Sequence, residues 1–173
     1  MFDVRHAFGV TPTQTRAADV IEVSPMASAA DARAFKDLNM EWIEAIFAVE
    51  PADLATLDHP ERIVAGGGEV LIARIDGVPV GCAALVQEHP GVFELSKMAV
   101  SPRFQGRGIG RVVLAAAIER VRALGAREFF LASNARLAPA VHLYESMGFV
   151  HVPASELPPS PYDRADVFMR YPL

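Results

Sequence analysis

Between an apolar, strand-like run and a strongly periodic helical one stands the hexapeptide Gln105-Gly106-Arg107-Gly108-Ile109-Gly110. Its three glycines remove the β-carbons that would keep an oxyanion away from the backbone N–H groups. The helix that begins there adds unsatisfied donors and the positive end of its dipole. The combination is a strand–turn–helix unit with a backbone cradle for a pyrophosphate, and it predicts a phosphate-bearing cofactor. The chain as a whole is acidic, with a net charge of −5, yet Arg103, Arg107 and Arg111 gather around this turn, where an anion would sit.

Upstream, residues 18–23 have the composition of a first strand. Either Ser28 or Ser24-Pro25 then supplies the start of a helix over about 29–48, whose Phe35, Leu38, Trp42, Ile43, Ile46 and Val49 share one face. Pro51-Ala52-Asp53-Leu54 opens a short second helix, and His59-Pro60 and Gly66-Gly67-Gly68 punctuate the chain after it. Two β-rich runs, 69–75 and 78–87, are joined by Asp76-Gly77, the strongest hairpin signal present, and a third runs from 92 to 100. Ile109, Val112, Val113, Ala116, Arg120, Val121 and Leu124 trace a helical stripe that stops at Gly125.

The remainder reads as a strand at 127–132, a helix at 137–147 with Pro139 in its first turn and Gly148 as its stop, a short strand at 149–152 and a last strand at 164–171. The proline-rich stretch 153–163 between those last two is long enough to form a lid. The order is therefore β-α-α-β-β-β-α-β-α-β-β, an α/β fold with a mixed sheet and helices on both faces. Residues 1–18 show no sustained periodicity and read as a flexible arm, leaving 19–173 as one domain.

With 51% hydrophobic and 21% charged residues the composition is that of a globular protein, and a pI near 5.5 leaves no electrostatic footprint for nucleic acid. No block has signal-peptide or membrane-span length, so a cytoplasmic protein is expected. The single cysteine, Cys82, lies within an apolar run and reads as core; the five histidines lack ligand spacing, and no metal is predicted. A dinucleotide fold would place its glycine fingerprint in the first strand–turn–helix unit with an acidic residue about twenty positions on. Here three strands precede the strand–turn–helix unit that holds the loop and the corresponding stretch is Leu124-Gly125-Ala126-Arg127, while Gly110-Arg111-Val112 fails the P-loop pattern.

The segment Glu94-Leu95-Ser96-Lys97-Met98-Ala99-Val100-Ser101-Pro102, followed by the glycine hexapeptide, resembles the acetyl-CoA motif of the GNAT superfamily of N-acetyltransferases, Gln/Arg-x-x-Gly-x-Gly/Ala. The likeness continues through Ala140-Val141-His142-Leu143-Tyr144-Glu145-Ser146-Met147-Gly148-Phe149 and covers about residues 19–173. The resemblance implies splayed central strands with acetyl-CoA in the opening, its pantetheine arm held by backbone groups of Met98, Ala99 and Val100. It implies that Gln105, Gly106, Arg107, Gly108, Ile109, Gly110 and Arg111 bind the pyrophosphate. Asn134 carries an amide suited to the pantetheine, or is simply a turn residue.

Acetylating an amine requires a base for the ammonium and an acid for the departing thiolate. The resemblance makes Tyr144 the acid. It makes Glu94 the candidate base, with a water chain, a merely solvent-facing glutamate, or Glu41 and Glu50 on the first helix and its exit as alternatives. His142 lies about 200° round the helix from Tyr144 and is not its partner. Alternation puts Glu94, Ser96, Met98 and Val100 on one strand face if no bulge intervenes, and the resemblance implies that one does. Trp42, Phe47 and Glu50 fall where the family builds its acceptor pocket, with Tyr162 and Arg164 following the lid, while the helical stripe makes Trp42 read as core.

The implied reaction is direct acetyl transfer to an amine, on a small molecule or a protein, without a covalent enzyme intermediate. A non-catalytic acyl-CoA sensor is the alternative. The acidic balance would steer cationic acceptors, and exposed sheet edges near the C-terminus would support a homodimer.

Overall fold

The computed structural model describes residues 19–173, so the arm expected over 1–18 lies outside the described residues. The order is β1 (Ile21–Pro25), α1 (Ala29–Ile46), α2 (Pro51–Leu57), α3 (Glu61–Ala65), β2 (Glu69–Ile75), β3 (Val78–His89), β4 (Val92–Val100), α4 (Ile109–Ala123), β5 (Glu128–Ser133), α5 (Ala138–Ser146), β6 (Val150–His151) and β7 (Val167–Tyr171). Apart from α3, this is the expected sequence of elements. Asp76 and Gly77 both take positive φ, 50° and 77°, as the tight turn between twisted antiparallel strands requires, and β2 and β3 pair across it.

The seven strands form one sheet in the order β1-β2-β3-β4-β5-β7-β6. Only β4 and β5 run parallel, and they pair over just four positions, from Val92↔Glu128 to Leu95↔Leu131. Beyond Leu95 they have no mutual partners, so the sheet opens at its centre as expected. α4 and α5 cover one face, packing Val113, Leu114, Ala117 and Val121 onto Leu85, Leu95, Phe129 and Met169. α1, α2 and α3 cover the other through Phe35, Ile43, Leu57 and Ile63 on Ile72, Cys82, Ala84 and Ala99.

Several local expectations shift. The first strand lies two to three residues later than predicted and includes Ser24-Pro25. Pro25 is tolerated there because β1 is an edge strand, bonded to β2 alone. The cap of α1 is Ser28, whose hydroxyl accepts from the Asp31 N–H at 3.1 Å. On α4 the buried stripe is Ile109, Val113, Leu114, Ala117, Ile118 and Val121; Val112 faces outward and Arg120 reaches Glu69 at 2.5 Å. The last strand starts at Val167 rather than 164, because Arg164 is drawn away by its side-chain partners.

Candidate active site

A cavity of about 800 Å³ occupies the opening between β4 and β5. Its walls include Met98, Ala99 and Val100 of β4, the glycine turn, Asn134 after β5, and Leu143 and Tyr144 of α5. Gly106 and Gly108 both stand at positive φ, 76° and 77°, and a β-carbon at either would meet nothing within 4 Å. The turn thus depends on glycine for its backbone conformation and leaves open space above it. The N–H groups of residues 106–111 have no intramolecular acceptor among the described residues. Six adjacent donors at the start of a helix of fifteen residues fit a pyrophosphate.

Of the residues expected at this end, Gln105, Gly106, Gly108, Ile109, Gly110 and Arg111 line the cavity. Arg107 does not: its guanidinium pairs with Asp19 at 3.0 Å and stacks 5.0 Å from the Phe104 ring. Arg111 is tied to Ser146 Oγ at 3.0 Å. The Asn134 amide is engaged within the protein, donating to the Arg164 carbonyl at 2.6 Å and accepting from the Arg136 N–H at 2.8 Å, the geometry of a turn residue.

A β-bulge determines which way β4 presents its side chains. Cys82 pairs with Ala99 and Ala84 with Ser96, so Lys97 and Met98 together oppose Ala83, and Lys97 is forced to φ 49°. Alternation therefore breaks at this point. Met98 and Val100 pack on the α4 side, whereas Ala99 packs on the α1 side and Lys97 reaches Asp53 of α2. The expectation that Glu94 and Met98 share a face holds only for an unbulged strand.

Glu94 is buried, and burial, with the charge of nearby Glu88 adding to it and Lys97 opposing, pushes its carboxyl up to about 7. It borders both the main cavity and a second one of about 190 Å³ beneath Leu157–Pro161 of the proline-rich stretch, which Glu88 also lines. Tyr144 is buried in the opposite layer against Phe149, ring centroids 5.9 Å apart, and burial raises its phenol to about 12. His142 on the same helix is 85% exposed by its side chain and directed away.

The end of the cavity beside α2 contains a network centred on Asp53, a residue that sequence reading did not place in a site. Asp53, fully buried, is bound by Lys97 and by both terminal nitrogens of Arg164 at 2.7 and 2.8 Å. Burial pushes its carboxyl up, but these two cations and the Glu50 N–H outweigh that and hold it far below the usual carboxylate range. Glu50 accepts from Arg164 at 3.2 Å and from the Asp163 N–H at 2.9 Å, fastening the end of the proline-rich stretch over the site. Tyr162 lines the cavity with Lys97 Nζ 4.2 Å from its ring centroid.

Phe47 and Glu50 do not line the cavity; they support Arg136 and Arg164, which do. Trp42, expected in the core, borders the cavity with its indole N–H on Asn39 Oδ1 at 3.3 Å. Cys82 is core as expected, its Sγ against Asn39 and the Lys97 carbonyl and its thiol pushed by burial to about 12.

A model of the acetyltransferase (GNAT) family matches residues 33–149. An IAA acetyltransferase of Azospirillum brasilense is 33% identical over 124 residues, which are 70% of this chain and 74% of that protein. Among solved structures, a GNAT-family acetyltransferase from Staphylococcus aureus superposes with a TM-score of 0.79 at 18% identity, covering 88% of this chain and 98% of that one. A GNAT-family acetyltransferase from Elizabethkingia anophelis with acetyl-CoA bound gives 0.60 at 17% identity, covering 88% and 98%. The chain belongs to the GNAT acetyltransferase family, and its class is that of the acyl-CoA-dependent N-acetyltransferases.

Proposed function

We propose that this protein transfers the acetyl group of acetyl-CoA to a primary amine by direct attack within a ternary complex. One observation carries the reading: a single cavity joins the glycine cradle, the open edge of β4, Glu94 and Tyr144. Bound acetyl-CoA supplies the acyl group. The N–H groups of 106–111 and the Arg111 guanidinium hold its pyrophosphate, and the unpaired β4 edge at Met98 to Val100 takes the pantetheine arm as an added strand.

Glu94 accepts the proton of the incoming ammonium. With its carboxyl raised to about 7, it is partly ionised at neutral pH and basic enough to take that proton. Because it borders the smaller cavity as well, the proton has a way out past Glu88 without crossing the acyl site. The freed amine nitrogen attacks the thioester carbon, the C–S bond breaks, Tyr144 gives the sulfur its proton, and the second proton that the nitrogen sheds on becoming an amide restores the phenol. Burial keeps that phenol protonated at neutral pH, so it meets the departing sulfur as a hydrogen-bond donor.

The buried, high-pKa Cys82 thiol does not border the cavity, which favours direct attack over an acetyl-cysteine route. The test is CoA release with a thiol-reactive dye across a library of amines. Tyr144→Phe and Glu94→Gln should each lower kcat by roughly 10²-fold or more while acetyl-CoA still binds. Full activity in both variants would leave the cavity a binding site alone.

A further inference from the structure

The titratable groups that line the cavity contradict the charge of the whole chain. Four cations, Lys97, Arg111, Arg136 and Arg164, face it against one carboxylate, Glu94, although the chain carries −5 overall. Arg111 stands at the glycine cradle, where the cofactor's phosphates would neutralise it. Lys97 and Arg164 are paired with Asp53 behind the wall.

Arg136 is different. It is exposed at the rim, its guanidinium lies 4.9 Å over the Phe47 ring, and among the described residues it has no carboxylate or other acceptor. The loop that presents it is pinned, with the Ala135 N–H donating to Asp166 at 2.8 Å and its own N–H to Asn134 at 2.8 Å. A planar donor fork, braced on an aromatic face and left without an anion, matches a carboxylate bidentately.

We infer that the acceptor is a small amine that also bears a carboxylate, of the amino-acid type, and that Arg136 is the residue that recognises the carboxylate. This rests on the acetyl-transfer reading and narrows its acceptor. A polyamine or other multiply cationic acceptor would meet the free Arg136 guanidinium, and a plain amine would leave it unpaired. Global steering by the acidic surface would favour such cations at a distance, but the contact surface selects against them.

The experiment pairs each amino acid with its decarboxylated amine: L-phenylalanine with phenethylamine, L-histidine with histamine, L-lysine with cadaverine. Initial rates of CoA release are measured on the full chain, alongside calorimetric titration with acetyl-CoA. The carboxylate-bearing member should show at least about ten-fold higher kcat/KM in a reactive pair. Arg136→Gln should raise its KM about ten-fold with kcat little changed, and Arg136→Lys should recover part of the loss.

Equal or faster transfer to the decarboxylated amine, or a pair ratio untouched by Arg136→Gln, overturns the inference and leaves acetyl transfer standing. Acetyl-CoA binding with no release from any pair overturns it too. Absence of both binding and release removes the acetyl-transfer reading itself.

Discussion

Asp53 ties α2 to β4 and to Arg164 through buried ion pairs, and its removal has a calculable cost. Its side chain is 0% exposed, that of Lys97 3% and that of Arg164 14%, so Asp53→Asn leaves two cations facing a neutral amide with little access to water. Breaking a buried pair while keeping the charged partner costs about 3–5 kcal/mol. For a chain of this size each kcal/mol moves Tm by roughly 2–4 °C, which gives a fall of about 6–20 °C. Urea denaturation at pH 7, with thermal melting alongside, measures both.

The sign of the pH dependence follows from the depressed carboxyl. Ionised Asp53 stabilises the fold above its unfolded value near 3.8, and that contribution fades as pH falls from there toward the folded value. The gap between wild type and Asp53→Asn should therefore narrow in acid. Adding Lys97→Met to Asp53→Asn should restore at least about 1 kcal/mol by removing the stranded ammonium. A loss below about 1 kcal/mol for Asp53→Asn, or no recovery in the double variant, would refute the network as the tie between these elements.

Three further outcomes follow. The kcat/KM of the wild type should rise with pH through an apparent pKa near 7, Glu94→Gln should abolish that limb, and Glu88→Gln should move it lower, since the Glu88 charge helps to raise it. Ionising Glu94 opposes folding between about its free value and 7, so Glu94→Gln should raise Tm relative to wild type at pH 8 and not at pH 4. Gly108→Ala, at φ 77° with open space around it, should cost about 1 kcal/mol of stability, read by urea denaturation, and weaken acetyl-CoA measured by calorimetry.

What could be read from sequence was local. The glycine turn, the α4 helix after it and the Asp76-Gly77 hairpin announce themselves within a few residues, because positive φ and helical spacing are properties of short segments. Tyr144 and Glu94 are candidates through family likeness rather than spacing. The Asp53 network was not legible, since its partners lie 44 and 111 residues away and only the folded sheet brings them together. The bulge at Lys97 was foreseen through the family likeness alone, because it depends on the pairing of β4 with β3, and it reverses the faces that alternation assigns. The five-residue α3 is too short to carry a period, and Pro25 looked like punctuation because nothing in the sequence marks β1 as an edge. Net charge averages over a surface whose sign differs from that of the cavity lining.

The most direct test of the central claim is calorimetric titration of the purified chain with acetyl-CoA, with dephospho-CoA and NAD as controls. Acetyl transfer from a cofactor seated on the glycine turn predicts saturable binding of acetyl-CoA, weakened by Arg111→Glu and absent with NAD. No heat with acetyl-CoA, or equal binding of NAD, would contradict it.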